Sequence, residues 1–95
     1  LAHYDTLTGL LNRKTFESTF GKLLSRSATA RGGPGCWLGV VDIDHFKRVN
    51  DVHGHLIGDE VLLLVAGVLR ASFRGGDRLY RFGGEEFVVL LRAPE

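Results

Sequence analysis

The 95-residue sequence contains a single cysteine, two prolines and no apolar run long enough to cross a lipid bilayer. One cysteine cannot form an internal disulfide, and no Cys/His cluster indicates a zinc site, so a reducing, cytoplasmic setting is expected. No stretch approaches the roughly 18 apolar residues that a membrane span requires, and neither end has the pattern of a secretory signal. A net charge of +1 argues against nucleic acid or a membrane surface as the partner.

The composition is that of an ordinary globular domain, since 44% of the residues are apolar and charges of both signs are mixed. This length suffices for one small domain or for part of one. Hydrophobic spacing and turn-forming residues predict the element order α-β-α-α-β-β. The first helix is predicted to begin after Asn12, whose side chain can cap it, and to end near Ser27. Its apolar face is predicted at Phe16, Phe20, Leu23 and Leu24.

The middle of the chain is predicted to hold one strand and two helices. After a loop at residues 30–35, the apolar run at 36–41 predicts a buried strand that ends at Asp42. A short helix follows and stops before Gly54, and a longer helix is expected from about Gly58 to Phe73. The core-facing positions of the longer helix are predicted to be Val61, Leu64, Val65, Val68 and Leu69.

The last part of the chain is predicted to form a turn and two strands. The sequence RGGD at 74–77 favours a turn, and residues 79–82 and 85–91 are typical of strands joined by a two-residue hairpin at Gly83-Gly84. The strands at 37–41 and 87–91 are apolar enough to be buried on both sides, as central strands are. Because little chain remains to flank them, the sequence is expected to end before its fold is complete.

Acidic residues stand at the ends of two predicted strands. Asp42 ends one, and Glu85 and Glu86 open the other directly after the glycine pair. Because side chains alternate along a strand, only one of the two glutamates can share a face with Asp42. If the strands are neighbours, two converging carboxylates make a site for a hard divalent cation such as Mg²⁺. The simpler alternative is that these carboxylates are solvated.

The segment after Asp42 indicates a place where phosphate can bind. Asp44 can cap the short helix, which leaves the N–H groups of His45, Phe46 and Lys47 at a helix start, where an anion is favoured. A lysine in the first turn of a helix opposes the helix dipole, and an anion bound there would offset this. A solvated lysine is the alternative.

Two further polar residues are candidates for base recognition. Asn50 and Asp59 flank two glycine breaks, so the two helices can direct both side chains at one pocket. An amide and a carboxylate together can accept the N1 and N2 hydrogens of guanine and donate to its O6. The alternative for Asp59 is that it caps the second helix.

Four segments make the chain similar to the GGDEF family of bacterial diguanylate cyclases. GGEEF at 83–87 matches the family signature in its glutamate-containing variant. DTLTGLLNR at 5–13 matches the N-terminal stretch, and DIDHFKRVND at 42–51 followed by GHLIGDE at 54–60 matches the metal and nucleotide segment. They occur in the family's order and spacing, so residues 1–95 are expected to be a GGDEF domain without its C-terminal part.

The resemblance implies a fold and an activity. The fold would be α+β, a ferredoxin-like sheet with helices packed on it, as in adenylyl cyclases and polymerase palms. The activity would be condensation of two GTP molecules to cyclic di-GMP with release of pyrophosphate, assisted by Mg²⁺ or Mn²⁺. Because one domain holds one GTP, the reaction implies a homodimer. An upstream sensory domain is also implied, and membrane attachment through such a segment is left open.

The resemblance also assigns roles to residues. Asp42, the Ile43 carbonyl and Glu85 would bind the metal ion, and Glu86 would help with a second ion. Glu85 would be the base, and Lys47 would stabilise charge on the phosphate being transferred. The substrate would contact a larger set: Phe46, Asn50, His55, Asp59, Gly83 and Gly84. Arg74 and Asp77 match the family's RxxD motif, where cyclic di-GMP would bind and inhibit.

Two other function classes stay open on sequence grounds. One is a regulatory module that binds GTP or cyclic di-GMP without turnover, although an intact GGEEF sequence favours the enzyme. The other is an unrelated small α+β interaction domain in which the motifs are coincidental.

Overall fold

The computed structural model describes residues 3–29, 36–75 and 77–92, which form a mixed sheet with helices on both faces. The strands are β1 (Leu11–Asn12), β2 (Cys36–Asp42), β3 (Arg78–Arg81) and β4 (Glu86–Arg92). The helices are α1 (Arg13–Thr29), α2 (Phe46–His53) and α3 (His55–Ser72). The order across the sheet is β1-β3-β4-β2, with β1 parallel to β3 and the other pairs antiparallel. The predicted α+β class is confirmed, and only the two-residue β1 was not anticipated.

The start of α1 follows from a local side-chain cap. Asn12 Oδ1 accepts hydrogen bonds from the Thr15 N–H at 2.9 Å and from its hydroxyl at 2.8 Å, as the sequence predicted. The helix runs two residues beyond the predicted end. Leu24 is 56% exposed, so its assignment to the apolar face was wrong. The face of α1 that packs on the sheet consists of Phe16, Phe20 and Leu23. The predicted loop at 30–35 lies outside the described residues.

Strand β4 is the centre of the core because its side chains alternate between two apolar clusters. Phe87 and Val89 pack against α2 and α3, whereas Val88 and Leu90 pack on the other face with Phe16 of α1. All four are buried, as predicted for this strand. In β2, by contrast, Trp37, Leu38 and Val40 are exposed, so the described residues do not cover this strand on both sides, and its burial by a further segment stays a prediction. Within the described residues, β2 pairs with β4 alone and lies at the sheet edge.

Helices α2 and α3 are separated by a single glycine. Gly54 has φ of 89°, a conformation that favours glycine, and α2 ends before it as predicted. The break lets α3 begin at once, three residues before the predicted start. The buried positions of α3 are Gly58, Leu62, Ala66 and Leu69. Within the described residues, no helix is long and apolar enough to cross a membrane.

The predicted core face of α3 was partly wrong. Val61 and Val65 are partly buried against the core, but Leu64 is 68% and Val68 is 57% exposed. Apolar residues surround most of this helix, so their spacing alone did not fix its rotation. The buried side includes the small residues Gly58 and Ala66, and at Gly58 a side chain would collide with Asn50.

The β3–β4 connection is longer than the two-residue hairpin that the sequence predicted. Arg81 pairs with Phe87, so five residues, 82–86, lie between the last paired positions. The N–H groups of Phe82 and Gly83 both donate to the Glu86 carbonyl, at 2.8 and 3.2 Å. Glu86 pairs on its other side with β2, opposite Asp42.

Candidate functional site

The acidic strand ends meet at one end of the β2–β4 pair. Asp42 lies directly opposite Glu86, and opposite residues of an antiparallel pair point to the same face. Glu85 precedes β4, and its carbonyl accepts a hydrogen bond from the Ile43 N–H at 3.2 Å. Asp42 is exposed and both glutamates are half-buried. The predicted adjacency of the two strands is therefore confirmed, with Glu86 as the direct partner of Asp42.

This arrangement supplies few but suitable ligands for a divalent cation. Within residues 3–29, 36–75 and 77–92, no group of three or more His, Cys, Asp or Glu side chains is placed to hold a metal ion. The local donors are carboxylates at Asp42 and the glutamate pair, together with the Ile43 carbonyl. Mg²⁺ commonly takes one or two carboxylates and completes its shell with water and phosphate oxygens. The donor set fits that pattern. The register puts Glu86 on the Asp42 face, whereas Glu85 precedes β4, and a metal contact by either glutamate stays a prediction.

Gly83 is a position where a side chain does not fit without movement. A Cβ there would lie 2.5 Å from Glu86 Oε1 and 3.5 Å from the Glu86 carboxylate carbon. The Glu86 side chain therefore folds back over the turn. A Cβ at Gly84 would meet nothing within 4 Å, so this second glycine leaves open space beside the acidic pair.

The start of α2 differs from the predicted cap. His45, not Asp44, is the N-cap residue, and no side chain caps the helix. His45 has φ 57° and ψ 28°, a left-handed conformation that is uncommon outside glycine and is found at functional sites. The first intrahelical bond runs from the Val49 N–H to the His45 carbonyl at 3.1 Å. Lys47 is exposed in the first turn, where an anion can approach the helix start.

Asn50 is packed against α3 with a buried, unsatisfied acceptor. Its Oδ1 has no hydrogen-bond partner among the described residues. A Cβ on Gly58 would lie 1.8 Å from that oxygen and 3.4 Å from Phe46 Cζ. Gly58 therefore provides the space that the amide occupies, and a buried acceptor without a partner fits a ligand that donates to it.

The predicted base-reading residues stand on facing helices. Asp59 follows Gly58 and is exposed. It is the fifth residue of α3, so the alternative in which it caps the helix was wrong. His55 is the exposed first residue of the same helix. Contact of these residues with a nucleotide stays a prediction.

The RxxD segment forms the turn that the sequence predicted. The Asp77 N–H donates to the Arg74 carbonyl at 2.9 Å, and the Arg74 N–H donates to Asp77 Oδ2 at 3.1 Å. The Arg74 residue is exposed. One Asp77 oxygen thus closes the turn. Binding of cyclic di-GMP by Arg74 and Asp77 stays a prediction.

Two residues beside the site, Arg81 and Asp5, were not predicted from the sequence to have a role. Arg81 Nη1 lies 3.2 Å from Asp5 Oδ1, and Arg81 Nη2 donates to the Gly84 carbonyl at 2.9 Å. Asp5 in turn accepts hydrogen bonds from the Thr8 N–H at 2.8 Å and hydroxyl at 2.7 Å. An aspartate three residues before a threonine is a recognisable signal for such a local turn. Its pairing with Arg81, which is distant in sequence, has no local signal.

Comparison with known proteins identifies the fold family. Residues 2–95 match the family described as "Diguanylate cyclase, GGDEF domain". The chain belongs to the GGDEF family. The resemblance seen in the four sequence motifs is thereby confirmed, and the sheet with its acidic turn is that of a GGDEF domain.

Individual relatives agree with this assignment. The GGDEF domain is 52% identical over 89 residues to diguanylate cyclase DgcP of Pseudomonas aeruginosa, covering 94% of this chain and 13% of that protein. It is 45% identical over 95 residues to diguanylate cyclase DgcM of Escherichia coli, covering 98% of this chain and 22% of that protein. The solved GGDEF domain of DgcB from Caulobacter crescentus, in complex with c-di-GMP, superposes with a TM-score of 0.86 at 38% identity.

The match covers only part of each relative. The chain spans about a fifth or less of the two curated proteins and 53% of the DgcB chain, although that structure covers 100% of this one. The family and fold are therefore established for these residues, while the activity of the whole protein is a separate question.

Proposed function

We propose that this GGDEF domain catalyses the condensation of two GTP molecules to cyclic di-GMP and pyrophosphate. The observation that carries the proposal is the register of β2 and β4, with Asp42 opposite Glu86 beside the glycine turn. The diguanylate cyclase relatives and the unbroken GGEEF sequence support turnover rather than binding alone. Family members that only bind usually have altered signatures, so this reading takes precedence over a regulatory module.

Base recognition is proposed for the α2–α3 junction. The buried Asn50 Oδ1 is an acceptor in need of a donor, and the Asp59 carboxylate follows the glycine on which that amide packs. Guanine presents N–H donors at N1 and N2, whereas adenine lacks this pair. The junction is therefore expected to prefer GTP to ATP, with Phe46 and His55 bordering the base.

The chemistry is proposed for the strand ends. The 3′-oxygen of each GTP attacks the α-phosphorus of the other. In each attack the bond to pyrophosphate breaks and the Glu85 of the domain that holds the attacking GTP accepts the hydroxyl proton, so that two attacks close the ring and release two pyrophosphates. Lys47 neutralises charge on the phosphate oxygens, with support from the uncapped start of α2. Mg²⁺ or Mn²⁺, held by Asp42, the Ile43 carbonyl and the glutamates, would supply charge neutralisation to the phosphates.

Dimerisation and product inhibition are proposed from the same assignment of the reaction. Two domains, each with one GTP, must face each other, so the active form is a homodimer. Cyclic di-GMP binding at Arg74 and Asp77 restrains the reaction, and loss of product inhibition in Arg74→Ala would support this. A cytoplasmic location and an upstream sensory domain complete the proposal.

The decisive experiment measures nucleotide products of the full-length protein. Purified protein with GTP and Mg²⁺ is expected to form cyclic di-GMP, and Glu85→Ala is expected to abolish this. Glu60→Ala is the matched control, because Glu60 is an exposed glutamate of α3 with no proposed role. Thermal unfolding of both variants checks that the fold is retained.

The outcomes separate the function classes. GTP or cyclic di-GMP binding without product would overturn the enzyme and favour a regulatory module. Neither binding nor product would overturn both the enzyme and the regulatory module, since an unrelated interaction domain with coincidental motifs is already contradicted by the family match over residues 2–95. Equal activity in the Glu85→Ala and Glu60→Ala variants would refute the assigned base.

A further inference from the structure

Arg81 connects the N-terminal segment to the signature turn. It lies at the end of β3, and its two terminal nitrogens point in different directions: Nη1 to both Asp5 oxygens at 3.2 and 3.3 Å, and Nη2 to the Gly84 carbonyl at 2.9 Å. The Arg81 and Asp5 side chains are only 19% and 20% exposed. This pair is therefore shielded from the solvent that weakens surface ion pairs.

Asp5 is fixed by its own loop before it meets Arg81. The Thr8 hydroxyl and N–H donate to one oxygen, and the loop closes through bonds from the Asp5 N–H to the Leu10 carbonyl at 2.7 Å and from the Gly9 N–H to the Asp5 carbonyl at 2.9 Å. Burial raises the pKa of Asp5, but the Thr8 hydrogen bonds and the Arg81 charge outweigh it and lower the pKa overall. Arg70 of α3 also donates to the Thr8 carbonyl. The carboxylate is thus a rigid anchor.

A second contact holds the residue between Arg81 and the glycines. The Arg13 guanidinium lies 4.5 Å from the centre of the Phe82 ring, and the Phe16 ring meets Phe82 edge-on at 5.6 Å. Such cation–π and edge-to-face contacts favour one ring position. Both residues that precede Gly83 are therefore fixed by the chain's first sixteen residues.

The turn itself has few other restraints. The N–H groups of Phe82 and Gly83 donate to the Glu86 carbonyl, and the Ile43 N–H donates to the Glu85 carbonyl. At Gly84 the carbonyl bond comes from Arg81, while a glycine has no side chain to limit its conformation. We therefore expect loss of that bond to leave the peptide directly before Glu85 less restrained.

We propose that Arg81 and Asp5 are positioning residues that hold the Gly84 peptide so that Glu85 is presented to the reacting nucleotide. This rests on the proposed function, because it assigns these residues a role in the same reaction. One guanidinium can bind a carboxylate and a carbonyl at once through separate N–H groups. A lysine ammonium keeps the charge but lacks this fixed fork, so Arg81→Lys removes the bridge while retaining an ion pair with Asp5.

The test compares three variants of the full-length protein. Arg81→Lys and Asp5→Asn weaken the bridge, and Arg78→Lys is the matched control on the same strand, where Arg78 is exposed. Amide hydrogen exchange, resolved by NMR at Phe82, Gly83 and Ile43, reports opening of the turn. Loss of a charge-assisted bond is expected to speed exchange at these amides by about tenfold in Arg81→Lys, with a smaller increase in Asp5→Asn.

Kinetics provide the second readout. In Arg81→Lys, kcat for cyclic di-GMP formation is expected to fall about tenfold, while KM for GTP changes less than about threefold. Arg78→Lys is expected to match the wild type in both measurements. The double variant of Asp5 and Arg81 is expected to lose less than the product of the single losses, because both act through one bridge.

Each outcome decides the matter. Faster exchange confined to the turn, together with the lower kcat, supports the proposal. If the wild type forms no cyclic di-GMP, faster exchange confined to the turn still supports the hold of Arg81 on the Gly84 peptide, and only the role towards the nucleotide fails with the proposed function. Wild-type exchange at the turn in Arg81→Lys overturns it. So does faster exchange throughout the domain with an unchanged kcat, because that pattern indicates a role in stability alone.

Discussion

Replacement of Gly58 by alanine tests the proposed guanine pocket directly. The new Cβ would lie 1.8 Å from Asn50 Oδ1, 2.9 Å from Asn50 Cγ and 3.4 Å from Phe46 Cζ. Carbon contacts are optimal at about 3.5 Å or more, so the amide must move by about 1.7 Å. Phe46 is buried in the core and yields little space. Asn50 is therefore expected to leave the position in which its oxygen can accept from guanine.

Two opposing terms set the effect on stability. Alanine is favoured over glycine in a helix by about 1 kcal/mol, whereas forcing extra atoms into a packed site costs about 1–3 kcal/mol. Gly58→Ala is thus expected to change the free energy of unfolding by no more than about 2 kcal/mol, in the destabilising direction. GTP binding is expected to weaken as well, because a lost hydrogen bond to a buried group costs about 1–3 kcal/mol. That corresponds to roughly 5- to 150-fold weaker GTP binding.

Gly67→Ala is the matched control on the same helix. A Cβ at Gly67 would meet nothing within 4 Å, so this variant gains helix propensity of about 1 kcal/mol without a clash. Calorimetric titration with non-reactive GTP and ATP analogues is the assay. Gly58→Ala should lose affinity for the GTP analogue and its preference over the ATP analogue, while Gly67→Ala should keep both. Wild-type affinity in Gly58→Ala would refute the assignment of Asn50 to the base.

Three further predictions concern stability. Because the pKa of Asp5 is lowered in the folded state, its contribution to the free energy of unfolding is present above about pH 4 and is lost as pH falls through the folded pKa. The difference in stability between the wild type and Asp5→Asn, measured by urea unfolding, should therefore shrink in acid. A difference that stays constant with pH would contradict this. Tyr80 Oη is buried without a partner among the described residues, so Tyr80→Phe should leave the midpoint unchanged or raise stability by up to about 1 kcal/mol, and a clear loss would count against it. His45 has a left-handed backbone, so His45→Val should cost about 1–2 kcal/mol and His45→Asn much less.

Local signals in the sequence predicted the elements that depend on neighbouring residues. The Asn12 cap, the end of α2 before Gly54 and the turn at 74–77 each rest on hydrogen bonds or dihedral angles within a few residues. The adjacency of the strands that carry Asp42 and the glutamate pair was a hypothesis, drawn from the acidic residues at the end of one strand and the start of the other, and the register confirms it.

The predictions that the structure corrects concern contacts between elements, which a short stretch of sequence does not show. The rotation of α3 depends on what packs against it, so Leu64 and Val68 were placed in the core although they are exposed. The β3–β4 connection is closed by bonds from the Phe82 and Gly83 N–H groups to the Glu86 carbonyl, which the glycine pair alone does not indicate. The bond between Asp5 and Arg81 joins residues 76 positions apart, and only the tertiary fold brings them together.

Because Asp42 pairs with Glu86, the register of the strand after the turn matters as much as the residue types in the turn. Two consecutive glutamates look interchangeable in a sequence, but one lies within the strand and the other lies before it. A one-residue slip of β4 against β2 would exchange their surroundings while leaving both acids in the sequence. A shift of register at this point is therefore expected to disturb the site as strongly as the loss of one of its acids.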